Sequence, residues 1–302
     1  GYYTWGGGKI YHPSHKGNEE TDRSFEEFYP LNEKWKAKKG ELISGLNLPA
    51  WADFGVTTET MGDEYTVREA VKVIQEPAKE PAFIAVGIFR PHLPHYAHPE
   101  DFEEYPIEKV VMPAMPWGDM GDVSEPAKIM AHREVNRLHA NLEQPAGSRG
   151  SLEHLVQSYQ AASTFADRMV GKVLDALDSS GKADNTIIVL WSDHGYHLGD
   201  KESISKFTLW EKANHVPFII VAPGMIKPGT VCHSPVSLVN IYPTLLELAG
   251  LPLKEGLDGT SLVSLMNNPE KQWDIPAITT MGRGNHAIRL NKWRYIQYYN
   301  GD

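Results

Sequence analysis

Residues 186–195 read Thr186-Ile187-Ile188-Val189-Leu190-Trp191-Ser192-Asp193-His194-Gly195. A short apolar, β-branched run that breaks at once into Ser-Asp-His-Gly predicts a buried strand with polar groups at its carboxyl end. Two further runs have the same character, 83–89 (FIAVGIF) and 217–222 (PFIIVA). The first stops in Arg90-Pro91-His92-Leu93-Pro94-His95. The last follows 186–191 at a spacing typical of a strand–helix–strand crossover. Helical spacing is clearest over 152–177, where Leu155, Ala162, Phe165, Met169 and Val173 share a stripe, and again over 64–76 and 240–249. Residues 1–62 are loop-rich, with Gly6-Gly7-Gly8 at their head, and prolines recurring from 91 to 126 predict a long ordered loop. Residues 287–290 and 293–299 read as an antiparallel pair around Asn291-Lys292. Strands alternating with helices make this an α/β chain, with a smaller β appendage beginning near residue 271.

Composition narrows the function classes. The chain has 302 residues, room for about two domains. Apolar residues are 41% and charged residues 23%, so it folds rather than remaining disordered. Lys plus Arg is 29 against 39 Asp plus Glu, and a net charge of −10 argues against a nucleic-acid partner. No apolar run approaches the ~20 residues of a membrane helix. The single cysteine, Cys232, excludes an internal disulfide framework and a multi-cysteine zinc site. It reads as an ordinary thiol, buried or half-buried.

The chemistry is expected at strand ends, where sites gather in open α/β sheets. Asp193-His194 offers one carboxylate oxygen and one imidazole nitrogen to a metal; it serves equally as an Asp capping a turn beside its His. Lys9 and His12 share the glycine-rich loop, and Lys206 lies in a polar loop after Asp193. Singly, each is an ordinary surface group. Together they describe a site for a tetrahedral oxyanion: lysines neutralise its non-bridging oxygens, a metal polarises its centre and a histidine protonates the leaving oxygen.

Several stretches share one resemblance. They are Gly8-Lys9-Ile10-Tyr11-His12-Pro13, FIAVGIFRPHLP over 83–94, WSDHGYHLG over 191–199 and Lys206. HVPFIIVAPG over 215–224, VSLVNIYPTLLELAGLP over 236–252 and Arg294-Tyr295-Ile296 complete the set. In order and spacing this set resembles the type I sulfatases of the alkaline-phosphatase superfamily, closest to the iduronate 2-sulfatase-like branch. The resemblance implies an alkaline-phosphatase-like mixed sheet sandwiched by helices over residues 1–270, and the start of a small antiparallel C-terminal β subdomain over 271–302. It implies hydrolysis of a sulfate ester on a sugar or glycan. Asp193 and His194 match two ligands of the family's divalent metal, usually calcium. Lys9 matches the lysine that touches sulfate and nucleophile, and Lys206 the second sulfate-binding lysine. His12 matches the histidine that helps expel sulfate, and His92 the general acid for the leaving alcohol. Arg90 and His95 flank His92 and are expected to meet a sugar carboxylate. A periplasmic or secreted location goes with the family.

The sequence departs from the family at its nucleophile, a formylglycine made from the Cys or Ser of Cys-x-Pro-Ser-Arg. That motif does not occur here, and Cys232 stands in the wrong context. The other two aspartate ligands come from a first strand that is expected upstream of Gly1. The reading is therefore of a sulfatase chain lacking its N-terminal part, inactive alone and with an exposed sheet edge. Two alternatives stand beside it. One is a phosphatase or phosphodiesterase of the same superfamily, with zinc on Asp193, His194 and His197. The other is a chain that binds anions or carbohydrates without turnover. The paired lysines favour sulfate.

Overall fold

Tyr3–Gly8 forms a strand although three of its six residues are glycine. In this computed structural model, which describes residues 1–12, 24–31, 42–43, 48–49, 61–76, 81–115, 118–137 and 152–301, the elements run in chain order as follows. They are β1 (Tyr3–Gly8), β2 (Glu27–Pro30), β3 (Leu42–Ile43), β4 (Leu48–Pro49), α1 (Gly62–Gln75), β5 (Ala82–Gly87), α2 (Pro99–Glu103), α3 (Glu125–Arg137) and α4 (Leu152–Ser179). Then come β6 (Ile188–Trp191), β7 (His197–Leu198), β8 (Ile204–Ser205), α5 (Glu211–Asn214), β9 (Phe218–Val221), α6 (Ile241–Leu248), α7 (Val263–Asn267), β10 (Ala277–Thr280), β11 (His286–Arg289) and β12 (Arg294–Gln297). The chain divides into two compact units. Unit 1 is Gly1–Ala114 with Val135–Ala183, and unit 2 is Met115–Glu134 with Asp184–Asp302.

In unit 1, β1 lies between β2 and β5 and is parallel to both. Ladders on both sides offset the entropic cost of its glycines, and Trp5 is buried beside Tyr29. The loop expected over this stretch is a strand because partners far along the chain pair with it. Helices α1 and α4 start and stop close to the positions their periodicity predicts. Their apolar stripes meet in one core of Met61, Val67, Ala161, Phe165 and Met169, with Tyr96 and Ala97 wedged in from the loop after β5. Burying Phe165 completely is worth about 2–3 kcal/mol. The proline-rich stretch contains α2, a single 3-10 turn at Ile107–Lys109 and the start of α3. β5 is less buried than its composition suggests, with Phe83 exposed, because among the described residues it pairs only with β1.

In unit 2, β6 and β9 pair antiparallel, Ile188 opposite Val221 and Trp191 opposite Phe218. The expected crossover is absent: the connection holds the short β7–β8 ladder and the four-residue α5, so the chain reverses direction. Neither strand is fully buried, with Trp191 48% and Ile219 55% exposed. The antiparallel pair expected near the end is present, and β10 extends it to a three-stranded sheet ordered β10-β11-β12. Ala287 of this sheet packs with Tyr298, Leu209 and Ala127 of α3. Cys232 is exposed, not buried: it sits in an irregular segment with its thiol 3.5 Å from the Pro269 carbonyl. Among the described residues no helix is long and apolar enough to cross a membrane.

The two strand ends of unit 1 set a test. A Cβ at Gly87 would lie 2.4 Å from the Lys9 carbonyl carbon, whereas one at Gly171, inside α4, meets nothing within 4 Å. Gly87→Ala is expected to destabilise by about 2 kcal/mol or more, and Gly171→Ala to stabilise by about 0.5–1 kcal/mol. Denaturant unfolding of the two variants checks this, and equal midpoints would refute the close approach.

Candidate active site

In unit 1, a group of candidate residues gathers where β1 and β5 end together. Their ladder closes at Gly8 opposite Gly87, and the Lys9 amide then donates to the Gly87 carbonyl at 2.9 Å. Gly8 has φ +79°, and a Cβ there would lie 2.1 Å from the Gly87 oxygen. Only glycines allow the two chains this close, and Lys9 thereby emerges beside the end of β5. Its ammonium lies 5.8 Å from the centre of the Phe89 ring. The His92 imidazole stacks on the same ring, with centroids 4.5 Å apart, and the Arg90 guanidinium carbon lies 5.0 Å from its centre. Phe89 is therefore the platform around which Lys9, Arg90 and His92 gather. Sequence reasoning gave it only a place in an apolar strand.

His92 is fixed at two points. Its amide donates to the Phe89 carbonyl at 3.0 Å, and its Nδ1 lies 2.6 Å from the Leu93 carbonyl oxygen. A carbonyl only accepts, so Nδ1 carries the hydrogen and Nε2 is the nitrogen through which a proton could be exchanged with a ligand. The peptides Arg90–Pro91 and Leu93–Pro94 are both cis. Arg90 is buried, its Nε donating to the Tyr96 carbonyl at 3.1 Å. His95 is 1% exposed. The Ser158 hydroxyl donates to the Leu155 carbonyl, so it accepts from His95 Nδ1 at 3.0 Å. Arg90 and His95 thus brace the His92 loop from inside the unit. Asp63, in the first turn of α1, is completely buried and accepts the amides of Phe89 (2.6 Å) and Arg90 (3.1 Å). His12 is exposed beyond the end of β1.

In unit 2, a separate group of candidate residues begins where β6 stops. Ser192 Oγ donates to the His194 carbonyl at 2.7 Å, and the Gly195 amide to Ala213 at 2.8 Å, which turns the chain back under α5. A Cβ on Gly195 would lie 2.0 Å from the Lys212 oxygen. His194 Nδ1 donates to the Gly195 carbonyl at 2.8 Å, so Nε2 presents its lone pair. That nitrogen is 3.6 Å from Asp193 Oδ1. One cation can take both donors, a carboxylate oxygen and a neutral imidazole nitrogen. Two donors are part of a shell: among the described residues no group of three or more His, Cys, Asp or Glu is arranged to hold a metal ion.

Lys206 follows Ser205, whose φ is +72°, and its ammonium lies 5.7 Å from the Phe207 ring centre. Lys201 and Glu202 also have positive φ, at +50° each. Three non-glycine residues in this region are uncommon, and each costs of order 1 kcal/mol. Buried His197 holds the loop against that strain. Its Nδ1 donates to Asp200 at 2.8 Å and its Nε2 meets the Thr208 hydroxyl at 2.7 Å. Burial works against the Asp200 carboxylate, but the His197 hydrogen bond and charge, with the Leu198 amide and the charge of Lys212, together outweigh it and hold the carboxyl below its usual range. With both ring nitrogens engaged, His197 has none to offer a zinc ion.

The sulfatase family model matches residues 1–251. The chain belongs to the sulfatase family. It is 36% identical to a sulfatase from Formosa agariphila, over all of this chain and 60% of that protein. It is 30% identical to iduronate 2-sulfatase from Homo sapiens, over 83% of this chain and 53% of that protein. The chain therefore spans little more than half the length of these curated relatives. Among solved structures, a phosphonate monoester hydrolase from Silicibacter pomeroyi superposes with a TM-score of 0.76 at 19% identity, over the whole of this chain and 70% of that one. At that identity the likeness is one of fold, and it is the mixed α/β fold that the strand-and-helix pattern implies.

The bracing histidine of unit 1 makes stability depend on pH. Burial above all, with the charges of Arg90 and His92, pushes the His95 imidazole down from 6.5 to about 3. Between those values the unfolded chain binds a proton that the folded chain does not, so stability falls as pH drops below 6.5. The slope contributed is about 1.4 kcal/mol per pH unit. Asp63 and Asp101, raised by burial, act in the opposite direction as pH falls. The comparison of wild type with His95→Gln isolates the histidine: between pH 5 and 6.5 the variant is expected to lose this slope. Parallel stability curves would show that His95 accepts its proton in the folded state.

Proposed function

We propose that the protein containing this chain hydrolyses sulfate esters of sugars. The observation that carries the reading is the gathering of Lys9 and His92 on one aromatic platform at a strand end, in a chain of the sulfatase family. Lys9 stabilises charge on the sulfuryl oxygens, and Lys206 is, by family likeness, a second sulfate-binding cation. His92 protonates the leaving alcohol from Nε2. The Leu93 carbonyl on Nδ1 supports this role, because it holds the ring and stabilises the imidazolium form that must give up the proton. His12, on the loop that follows Lys9, assists sulfate release.

Asp193 and His194 would hold a divalent cation, calcium by family likeness, as part of a larger shell. When bound, that ion polarises the ester oxygen and gathers negative charge. The formylglycine motif is not among the 302 residues. The relation to iduronate 2-sulfatase supports a sulfated uronate or related glycan as substrate, and a periplasmic or secreted setting accords with such a substrate. Arg90 and His95 contribute to its recognition through the loop they brace.

Two measurements on the full-length protein test this reading. His92→Ala is expected to lower turnover of alkyl sulfates by about 10²–10⁴-fold, the usual contribution of a general acid. Aryl sulfates, whose leaving groups need little protonation, should be affected far less; equal losses on both would remove His92 from the acid role. Asp193→Ala is expected to lower bound divalent metal on elemental analysis, and an unchanged metal content would separate Asp193 from the ion.

A further inference from the structure

We propose that Asp63 is a positioning residue for the reaction: its carboxylate, reaching from the first turn of α1, fixes the backbone on which the platform and the acid are carried. This inference rests on the reading of His92 as the general acid. The ladder between β1 and β5 ends at Gly8 and Gly87, so among the described residues the amides of Phe89 and Arg90 lie beyond any strand pairing. Asp63 supplies acceptors instead, Oδ1 to the Phe89 amide at 2.6 Å and Oδ2 to the Arg90 amide at 3.1 Å. Both carboxylate oxygens are used, on two consecutive residues, from a position 26 and 27 residues earlier in the chain. Phe89 in turn carries the ring that stacks with His92 and faces Lys9, and its carbonyl accepts the His92 amide.

The arrangement is costly, which argues that it does more than pack. A carboxylate with no exposure is opposed by desolvation, and burial does push Asp63 above its usual range. The charge of Arg90 and the two amides pull it back. An apolar residue at 63 would avoid that cost but leave one buried and one half-buried amide without their acceptors. An asparagine would satisfy one and turn an N–H toward the other. A carboxylate is the side chain that meets two adjacent donors at once, and the result is a rigid turn between strand and acid. Sub-ångström placement of a proton donor is where such rigidity has its effect on rate. From sequence, Asp63 is indistinguishable from any acidic residue placed in a first helical turn for its dipole.

Asp63→Asn and His92→Ala in the full-length protein, with alkyl and aryl sulfates and amide hydrogen exchange, decide the matter. Asp63→Asn is expected to lower kcat on alkyl sulfates about tenfold or more, with KM and aryl turnover within about threefold. Exchange is expected to quicken at Phe89 and Arg90 and not across α4. Equal losses on both substrates, with His92→Ala still selective for alkyl sulfates, would overturn the positioning role and leave the acid assignment standing. If His92→Ala loses equally on both, the acid assignment fails and the positioning role falls with it. Loss of protection throughout unit 1, or failure to fold, would also overturn the proposal, because Asp63 would then serve the whole unit.

Discussion

Two parallel strands that end in glycine against one another are the constraint on which the rest of unit 1 depends. With no Cβ at Gly8 or Gly87, the backbones beyond β1 and β5 touch, and Lys9 and Phe89 leave the sheet side by side. A side chain at either position would force the two exits apart, and the ring would no longer stand beside the lysine. Everything after that is bracing. Asp63 holds the turn from α1, Arg90 ties it to Tyr96, and Tyr96 with Ala97 is buried in the core between α1 and α4. The site is thus coupled to the hydrophobic core by hydrogen bonds to the main chain, which are short and directional, and not by side-chain packing alone.

The histidines follow a common physical rule. In His92, His194 and His95, Nδ1 donates to a carbonyl or hydroxyl oxygen, which selects the tautomer and orients the ring. What differs is where Nε2 is left. In His92 and His194 the ring is only partly buried at a strand end, and Nε2 is the nitrogen that the neighbouring carbonyl does not hold. In His95 burial suppresses the charged form, and the ring is a neutral strut. His197 goes further, with both nitrogens engaged within its own loop. One residue type thus stands in different settings within a few positions, at a strand end in His92 and as a buried strut in His95.

The amino-acid sequence alone determined the family, through motifs whose order and spacing survive although each is weak singly. It also determined α1 and α4, because a 3.6-residue apolar period is a local property that any helix burying one face must carry. It located β5, β6 and β9 by their apolar β-branched runs. Strand direction and burial were not legible: 186–191 and 217–222 read as two buried strands at a strand–helix–strand spacing, yet they pair antiparallel with Trp191 and Ile219 exposed. β1 was missed because glycine signals a loop unless distant strands pair with it on both sides. Asp63 and Phe89 were missed for the same reason, since a carboxylate 26 residues from its amide and a ring that collects Lys9, Arg90 and His92 have no periodicity to betray them. Local chemistry is written along the chain, whereas pairing, burial and the bracing of the loop that carries His92 are decided only when residues far apart in sequence compete for the same few donors, acceptors and volumes.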